Sequence, residues 1–153
     1  MQQRIAFIGG GNMASAIIGG LLKQGFHLSQ IDVVEPFEAA RAKLRSEFGV
    51  VAKEQAGAFL TSTDLVVWAI KPQTFKDAAA QAQAHTRAAL HLSVAAGIRS
   101  DTIAAWLHSQ RVVRAMPNTP ALIGKGITAL FARAAVSSTD RHWSTRSWAA
   151  QAM

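Results

Sequence analysis

The chain contains no cysteine, which excludes disulfide staples and every metal site built on thiolates. Acidic residues are scarce, nine against sixteen Lys and Arg, for a net charge of +7. Such a balance invites a nucleic-acid partner. The cations Lys23, Arg41, Lys43, Arg45, Lys71, Arg87, Arg99, Arg111 and Arg114 are scattered, however, with no run and no aromatic interleaving. No nucleic-acid partner is expected, and the positive field suits small anionic ligands instead. Long apolar runs are also missing. None approaches the ~20 residues needed to cross a bilayer, so no membrane partner is expected. Met1-Gln2-Gln3-Arg4 leads straight into the first apolar segment and leaves no room for a signal peptide. A cytoplasmic location follows as the expectation. The five histidines, His27, His85, His91, His108 and His142, form no pair at metal-ligand spacing. No metal site is expected, and Trp68 and Trp106 read as packing residues.

What is present is ordinary globular composition, half hydrophobic and 16% charged over 153 residues, enough for one domain with a proper core. Short apolar runs alternate with helical periodicity. Arg4 to Ile8, Ile31 to Val34, Val50 to Ala52, Leu65 to Ile70, Ala89 to Val94 and Arg111 to Met116 read as strands, with a last one near Ile127 to Phe131. Between them, helices are expected from Met13 to a stop at Gly25, over Glu38 to Glu47, briefly near Ala56 to Leu60, over Phe75 to Ala84, and to about His108 after a cap at Ser100 or Asp101. This alternation predicts an α/β fold with a doubly wound, Rossmann-type parallel sheet.

The turn after the first strand carries the sharpest signal. Gly9, Gly11 and Ala14 give G-x-G-x-x-A, entered from a strand and leaving into a helix. Gly9 permits the tight turn, and Gly11 lacks a Cβ that would block a pyrophosphate. Ala14 lets helix and strand pack closely, while the free N–H groups of the helix meet phosphate charge. In open parallel sheets the ligand lies beyond the carboxyl ends of the strands. The other segments at those ends are Glu35, Ala69-Ile70-Lys71-Pro72, Ala95-Ala96-Gly97 and Met116-Pro117-Asn118-Thr119-Pro120. Lys71-Pro72 sets a cation and a rigid φ at a strand end. Two prolines bracket Asn118, whose amide can both donate and accept.

Taken together these segments resemble the Δ1-pyrroline-5-carboxylate reductases. The match runs through Phe7-Ile8-Gly9-Gly10-Gly11-Asn12-Met13-Ala14, Ala69-Ile70-Lys71-Pro72, Ser93-Val94-Ala95-Ala96-Gly97 and Arg114-Ala115-Met116-Pro117-Asn118-Thr119-Pro120. It continues through Gly124-Lys125-Gly126 to Ser137-Ser138-Thr139-Asp140-Arg141. The resemblance implies an enzyme that reduces the C=N bond of 1-pyrroline-5-carboxylate to L-proline, with NADP or NAD as cofactor. It implies that Ile8, Gly9, Gly10, Gly11, Asn12, Met13 and Ala14 hold the pyrophosphate, and that Glu35 faces the adenosine ribose. Ala69, Ile70, Lys71 and Pro72 would line the groove, Ala95, Ala96 and Gly97 would border the nicotinamide, and Asn118 would sit near the reacting end. Two positions depart from the pattern. Ala56 stands where many relatives carry an asparagine near the ribose. Glu35 stands where many have a small or basic residue, and a carboxylate there bonds a 2′-OH and repels a 2′-phosphate, which predicts a bias toward NADH.

The family also has a C-terminal helical domain that forms a homo-oligomer and supplies most substrate-carboxylate contacts. Here that domain is expected to be missing. Residues 1–136 are read as the NAD(P)-binding domain and 137–153 as an aberrant tail. The stretch His142-Trp143-Ser144-Thr145-Arg146-Ser147-Trp148 no longer resembles the family. Back-translated with GC-rich codons and read two bases on, 142–153 yields Leu-Val-Asp-Gln-Val-Leu-Gly-Gly-Thr-Gly-Asp, as expected of a frameshifted reductase. Two other readings remain open: a non-catalytic nucleotide-binding remnant, and another two-domain NAD(P)-dependent dehydrogenase such as an F420-dependent NADP reductase. The proline-bracketed Asn118 argues against the latter.

Overall fold

A computed structural model of the chain describes residues 3–116, 129–134 and 136–137. Strands β1 (Ile5–Ile8), β2 (Ile31–Val34), β3 (Leu65–Trp68), β4 (Leu90–Ser93), β5 (Val112–Met116) and β6 (Ala129–Ala132) form one sheet in the order β2-β1-β3-β4-β5-β6. The first five pair in parallel and β6 joins antiparallel to β5. Helices α1 (Asn12–Lys23), α2 (Glu38–Phe48), α3 (Pro72–Ala82) and α4 (Ser100–Leu107) connect the strands. The chain winds outward from β1 in one direction through β2, then crosses back and continues through β3, β4 and β5.

Continuous apolar runs make the strands because both faces of the sheet are covered. Successive side chains point to opposite faces. Ile5 and Phe7 of β1 and Leu65 and Val67 of β3 therefore pack with Ala14, Ile17, Ile18 and Leu21 of α1 and Leu44 of α2. Their alternate neighbours Ala6, Ile8, Val66 and Trp68 pack with Phe75, Ala79 and Ala82 of α3 and Ile103, Ala104 and Leu107 of α4. Each large side chain fully buried in this way contributes roughly 1.5–3 kcal/mol. At the entry ends of the strands, Arg4 is ion-paired to Asp32 at 2.9 Å, and its amide donates to Asp64 Oδ2 at 2.8 Å.

Three local expectations are revised. Val50 to Ala52 forms no strand. Gly49, at φ 76°, ends α2 in the left-handed region, and the chain regains the sheet edge only at Lys53, in a single bridge to Val34. Pro36 has no N–H with which to extend the pairing. The brief helix after Ala56 is one 3-10 turn at Ala58–Leu60. Ser100 lies inside α4, with Arg99 at its N-cap and no side-chain cap bond.

Among the described residues, the α3–α4 layer contains a buried polar pair. Trp68 stacks on Phe75, with ring centroids 4.8 Å apart, and its Nε1 donates to Nδ1 of the buried His91 at 3.0 Å. Burial holds the imidazole neutral and lowers its pKa from 6.5 to about 4, Arg111 pushing the same way and the Thr86 backbone opposing. Between pH 6.5 and about 4, the unfolded chain takes up a proton that the folded chain refuses. Stability is therefore full above this window and falls as pH drops through it, by on the order of 3 kcal/mol. His91→Gln keeps an acceptor for Trp68 without the titration. Urea unfolding across that window should give a shallower acid loss in the variant than in the parent chain. Equal acid dependence would remove His91 as the cause.

Candidate functional site

The strand register brings the candidate segments level. Ile8 lies opposite Val34 on one side and Trp68 on the other, and Trp68 lies opposite Ser93. The turns after β1, β2, β3 and β4 therefore leave the sheet side by side. The winding reverses between β2 and β3, on either side of β1, and a crevice opens at such a point.

Three successive glycines fill the centre, each with a different environment. Gly9, at φ 101°, donates its N–H to the Val34 carbonyl at 2.8 Å. A Cβ on Gly9 would overlap the Ala69 carbonyl oxygen and come within 2.7 Å of Ile70 Cγ2. The left-handed φ and the close backbone approach both require glycine. Gly10 is buried, and a Cβ there would meet Leu44 Cδ1 at 2.7 Å. Gly11 is exposed, and a Cβ on it would find nothing within 4 Å. It is also the N-cap of α1, with no side-chain cap bond. This is an open cradle at a helix N-terminus, which fits a pyrophosphate. Asn12 is exposed beside it, Met13 is half-buried, and Ala14 is fully buried against the sheet.

The neighbouring turns frame this cradle. Ala69 and Ile70 are half-buried, and the Ala69 amide donates to the Ile8 carbonyl at 2.8 Å. Lys71, exposed, is the N-cap of α3, and Pro72 starts that helix with the φ it needs. The Lys71 carbonyl accepts from Thr74 Oγ1 at 2.9 Å, which fixes the backbone while the ammonium stays in solvent. Ala95 is buried, its amide donating to Ser93 Oγ at 3.2 Å. Ala96 and Gly97 are exposed, with Gly97 at φ 79°. Asn118, its flanking prolines, and the tail beyond Ser137 lie outside the described residues.

Glu35 links the glycine turn to the loop after β2. Its side chain is buried and turned toward the glycine turn: Oε1 accepts from the Gly10 amide at 2.9 Å and Oε2 from the Phe37 amide at 3.0 Å. Arg41 was not singled out by the sequence reasoning. From one guanidinium nitrogen it donates to the carbonyls of Glu35 at 3.0 Å and Pro36 at 2.8 Å. A cation in the first turn of the helix after β2 was the available signal. Ala56 is half-buried against the α3–α4 layer.

The environments of the glycines separate folding from binding. Gly9→Ala combines left-handed strain with backbone overlap and should cost at least about 1–3 kcal/mol. Gly11→Val enters open space and should cost no more than about 1 kcal/mol, the loss of glycine's preference at the N-cap. Thermal unfolding of both variants checks this, and comparable losses at the two positions would contradict the geometry.

The family model described as "NADP oxidoreductase coenzyme F420-dependent" matches residues 4–97. A pyrroline-5-carboxylate reductase of Pseudomonas aeruginosa is 44% identical over 139 residues, covering 90% of this chain and 51% of the relative. That of Escherichia coli is 37% identical over 143 residues, covering 92% and 53%. The chain thus spans about half the length of the curated relatives it matches. Among solved structures, a pyrroline-5-carboxylate reductase from Coxiella burnetii superposes with a TM-score of 0.92 at 29% identity, covering 100% of this chain and 58% of that one. A prephenate dehydrogenase from Aquifex aeolicus shares the fold at a TM-score of 0.83 and 14% identity, covering 99% and 58%. Matched by that model over more than half its length, the chain belongs to this NADP oxidoreductase family, and it carries the N-terminal half of the pyrroline-5-carboxylate reductase pattern.

Proposed function

We propose that this chain is the cofactor-binding half of a pyrroline-5-carboxylate reductase, which uses NADPH or NADH to reduce the C=N bond of 1-pyrroline-5-carboxylate to L-proline. The open cradle above Gly11, set where the sheet winding reverses, carries the reading. The names of the relatives support the substrate. Ile8 to Ala14 hold the pyrophosphate, Ile8 to Gly10 by shaping the turn and Gly11 to Ala14 by offering the α1 terminus. Ala69 to Pro72 and Ala95 to Gly97 wall the groove on the β3 and β4 side. Asn118 is placed near the reacting end by the family pattern alone. When bound, the nicotinamide supplies the hydride. The protein contributes position and electrostatics, and holding two reactants in register can lower a barrier by ~7–11 kcal/mol.

In this reading residues 1–136 form the binding unit and 137–153 a tail beyond it. A helical half of the kind found in the full-length family completes the substrate pocket and the homo-oligomer. A chain without cysteine has no need of an oxidising compartment, which suits the cytoplasm. Because the chain spans about half of its relatives, a second reading stands beside the first, a nucleotide-binding unit that turns nothing over.

Two measurements test these readings in order. Nicotinamide fluorescence titration of the 153-residue chain should show binding that Gly11→Val abolishes, since a branched side chain would fill the cradle. Undiminished binding by that variant would remove the glycine turn from the site. A proline-forming assay with pyrroline-5-carboxylate should then give little or no turnover from this chain, and turnover when it is fused to the helical half of the Pseudomonas relative. A fusion that binds cofactor and stays inactive favours the second reading. Equal turnover by the unfused chain would show that the helical half is not required.

A further inference from the structure

The exposed large apolar side chains among the described residues, Leu28, Phe37 and Val51, all lie along the β2 edge of the sheet. Phe37 is the N-cap of α2 and 72% exposed, and Val51, just past the end of that helix, is 67% exposed. Leu28 precedes β2 and reaches toward Gly49, where a Cβ would stand 3.5 Å from its Cδ1. Exposed apolar side chains gathered on one edge mark a surface for contact. An open groove of about 430 Å³ runs along the same edge, with Ala42 and Arg45 of α2 on one wall and Val50 to Ala52 on the other.

The second wall offers unused backbone. Lys53 donates its N–H to the Val33 carbonyl at 2.8 Å and its carbonyl accepts from the Glu35 amide at 2.8 Å, so both of its backbone groups face β2. Along an extended chain these groups alternate in direction, and those of Ala52 therefore face away from the sheet. Among the described residues nothing bonds the backbone of Val51 or Ala52. An edge of this kind accepts an added strand. The first wall offers charge. The exposed Arg45 guanidinium has no partner among the described residues. Arg41 reaches the same groove while bonding the carbonyls of Glu35 and Pro36. Against these two cations, Glu38 is the one carboxylate in the lining.

We propose that this groove docks an extended segment of a partner protein in which acidic and apolar residues alternate. The segment adds as a strand beside Val51 and Ala52, with carboxylates toward Arg45 and apolar side chains against Ala42 and Val51. Charge selects that occupant over the alternatives. A second copy of this chain brings a net charge of +7, and residues 137–153 carry two arginines against one aspartate. Neither complements a pair of guanidiniums. A nucleic-acid strand would find no aromatic ring in the lining on which to stack a base. The groove uses a different face of α2 from Leu44, which packs over Gly10. It thus lies apart from the glycine turn, and the docking does not depend on the dinucleotide reading.

A random nonapeptide library displayed on phage and selected on the full 153-residue chain supplies the probe. Selected sequences should alternate Asp or Glu with apolar residues. The leading peptide, synthesised and titrated by fluorescence anisotropy, should lose about fivefold or more in affinity to Arg45→Gln and to Val51→Ser. Both side chains are exposed, so the two variants should unfold thermally as the parent does. N-methylation of alternate peptide amides should abolish binding in one register and spare it in the other, which marks an added strand. Amide chemical shifts should move at Ala42 to Ala52, and saturating NADP should leave peptide affinity unchanged. Selection of basic or patternless sequences, or of none, would overturn the proposal. So would equal effects in both methylation registers, unchanged affinity in either variant, or shifts centred elsewhere. Tighter binding of a thymidine oligonucleotide at the same groove would assign it to nucleic acid instead. Displacement of the peptide by NADP would make the groove part of the dinucleotide site, and the separate docking surface would fall.

Discussion

Gly9 lies so close to the end of β3 that the Ala69 carbonyl occupies the place a side chain would need. That approach is possible only for glycine at φ 101°, and much of the remaining geometry depends on it. It lets the chain leave β1 without losing the hydrogen bonds that tie Gly9 to Val34 and Ala69 to Ile8. It also sets the start of α1 directly over the boundary where the sheet reverses its winding. The open space above Gly11 follows from the tightness below Gly9 and Gly10. The N–H groups of Gly9 and Gly10 are spent on Val34 and Glu35, so the first amides of α1, which no helical carbonyl takes, are the ones that face an anion.

The two-sided burial of the sheet is what holds this turn in place. Alternate residues of β1 and β3 feed separate apolar layers, one under α1 and α2 and the other under α3 and α4. Neither β1 nor β3 can shift by a residue without exchanging the two layers. Level strand ends are a consequence of that register, and level ends bring the four turns out of the sheet side by side. The buried Trp68–His91 pair adds a polar link between β3 and β4 within this packing. Its imidazole remains neutral because burial in an apolar layer outweighs the help the Thr86 backbone would give a charge.

Much of this was legible in the sequence, for local reasons. Apolar runs such as Leu65 to Trp68 announce strands covered on both faces, and Gly9, Gly11 and Ala14 announce the turn and its packing. What escaped was non-local. Glu35 at the end of β2 has the residue type and spacing of a ribose ligand, and its side chain also accepts from an amide 25 positions earlier and one two positions later; no periodicity encodes the first of these bonds. Arg41 sits among scattered surface cations by sequence, and only the fold brings its guanidinium to the carbonyls of Glu35 and Pro36. The edge beside β2 failed as a predicted strand for a similar reason. Val50 to Ala52 has strand composition, but Gly49 and Pro36 leave just Lys53 in pairing range. Gly10, an x position of the motif, is crowded by the Leu44 side chain of α2, without the left-handed φ and backbone overlap that bind Gly9.

The central claim is that the turns after β1, β3 and β4 form one dinucleotide site centred on the cradle at Gly11. Amide chemical-shift mapping of the isotopically labelled chain during titration with NADP tests it most directly. The account predicts saturable shifts concentrated at Gly9 to Ala14, Ala69 to Lys71 and Ala95 to Gly97, with the outer faces of α3 and α4 and the entry ends of the strands around Asp32 and Asp64 unmoved. Shifts confined to those outer faces or entry ends, or no saturable shifts from a folded chain, would contradict it.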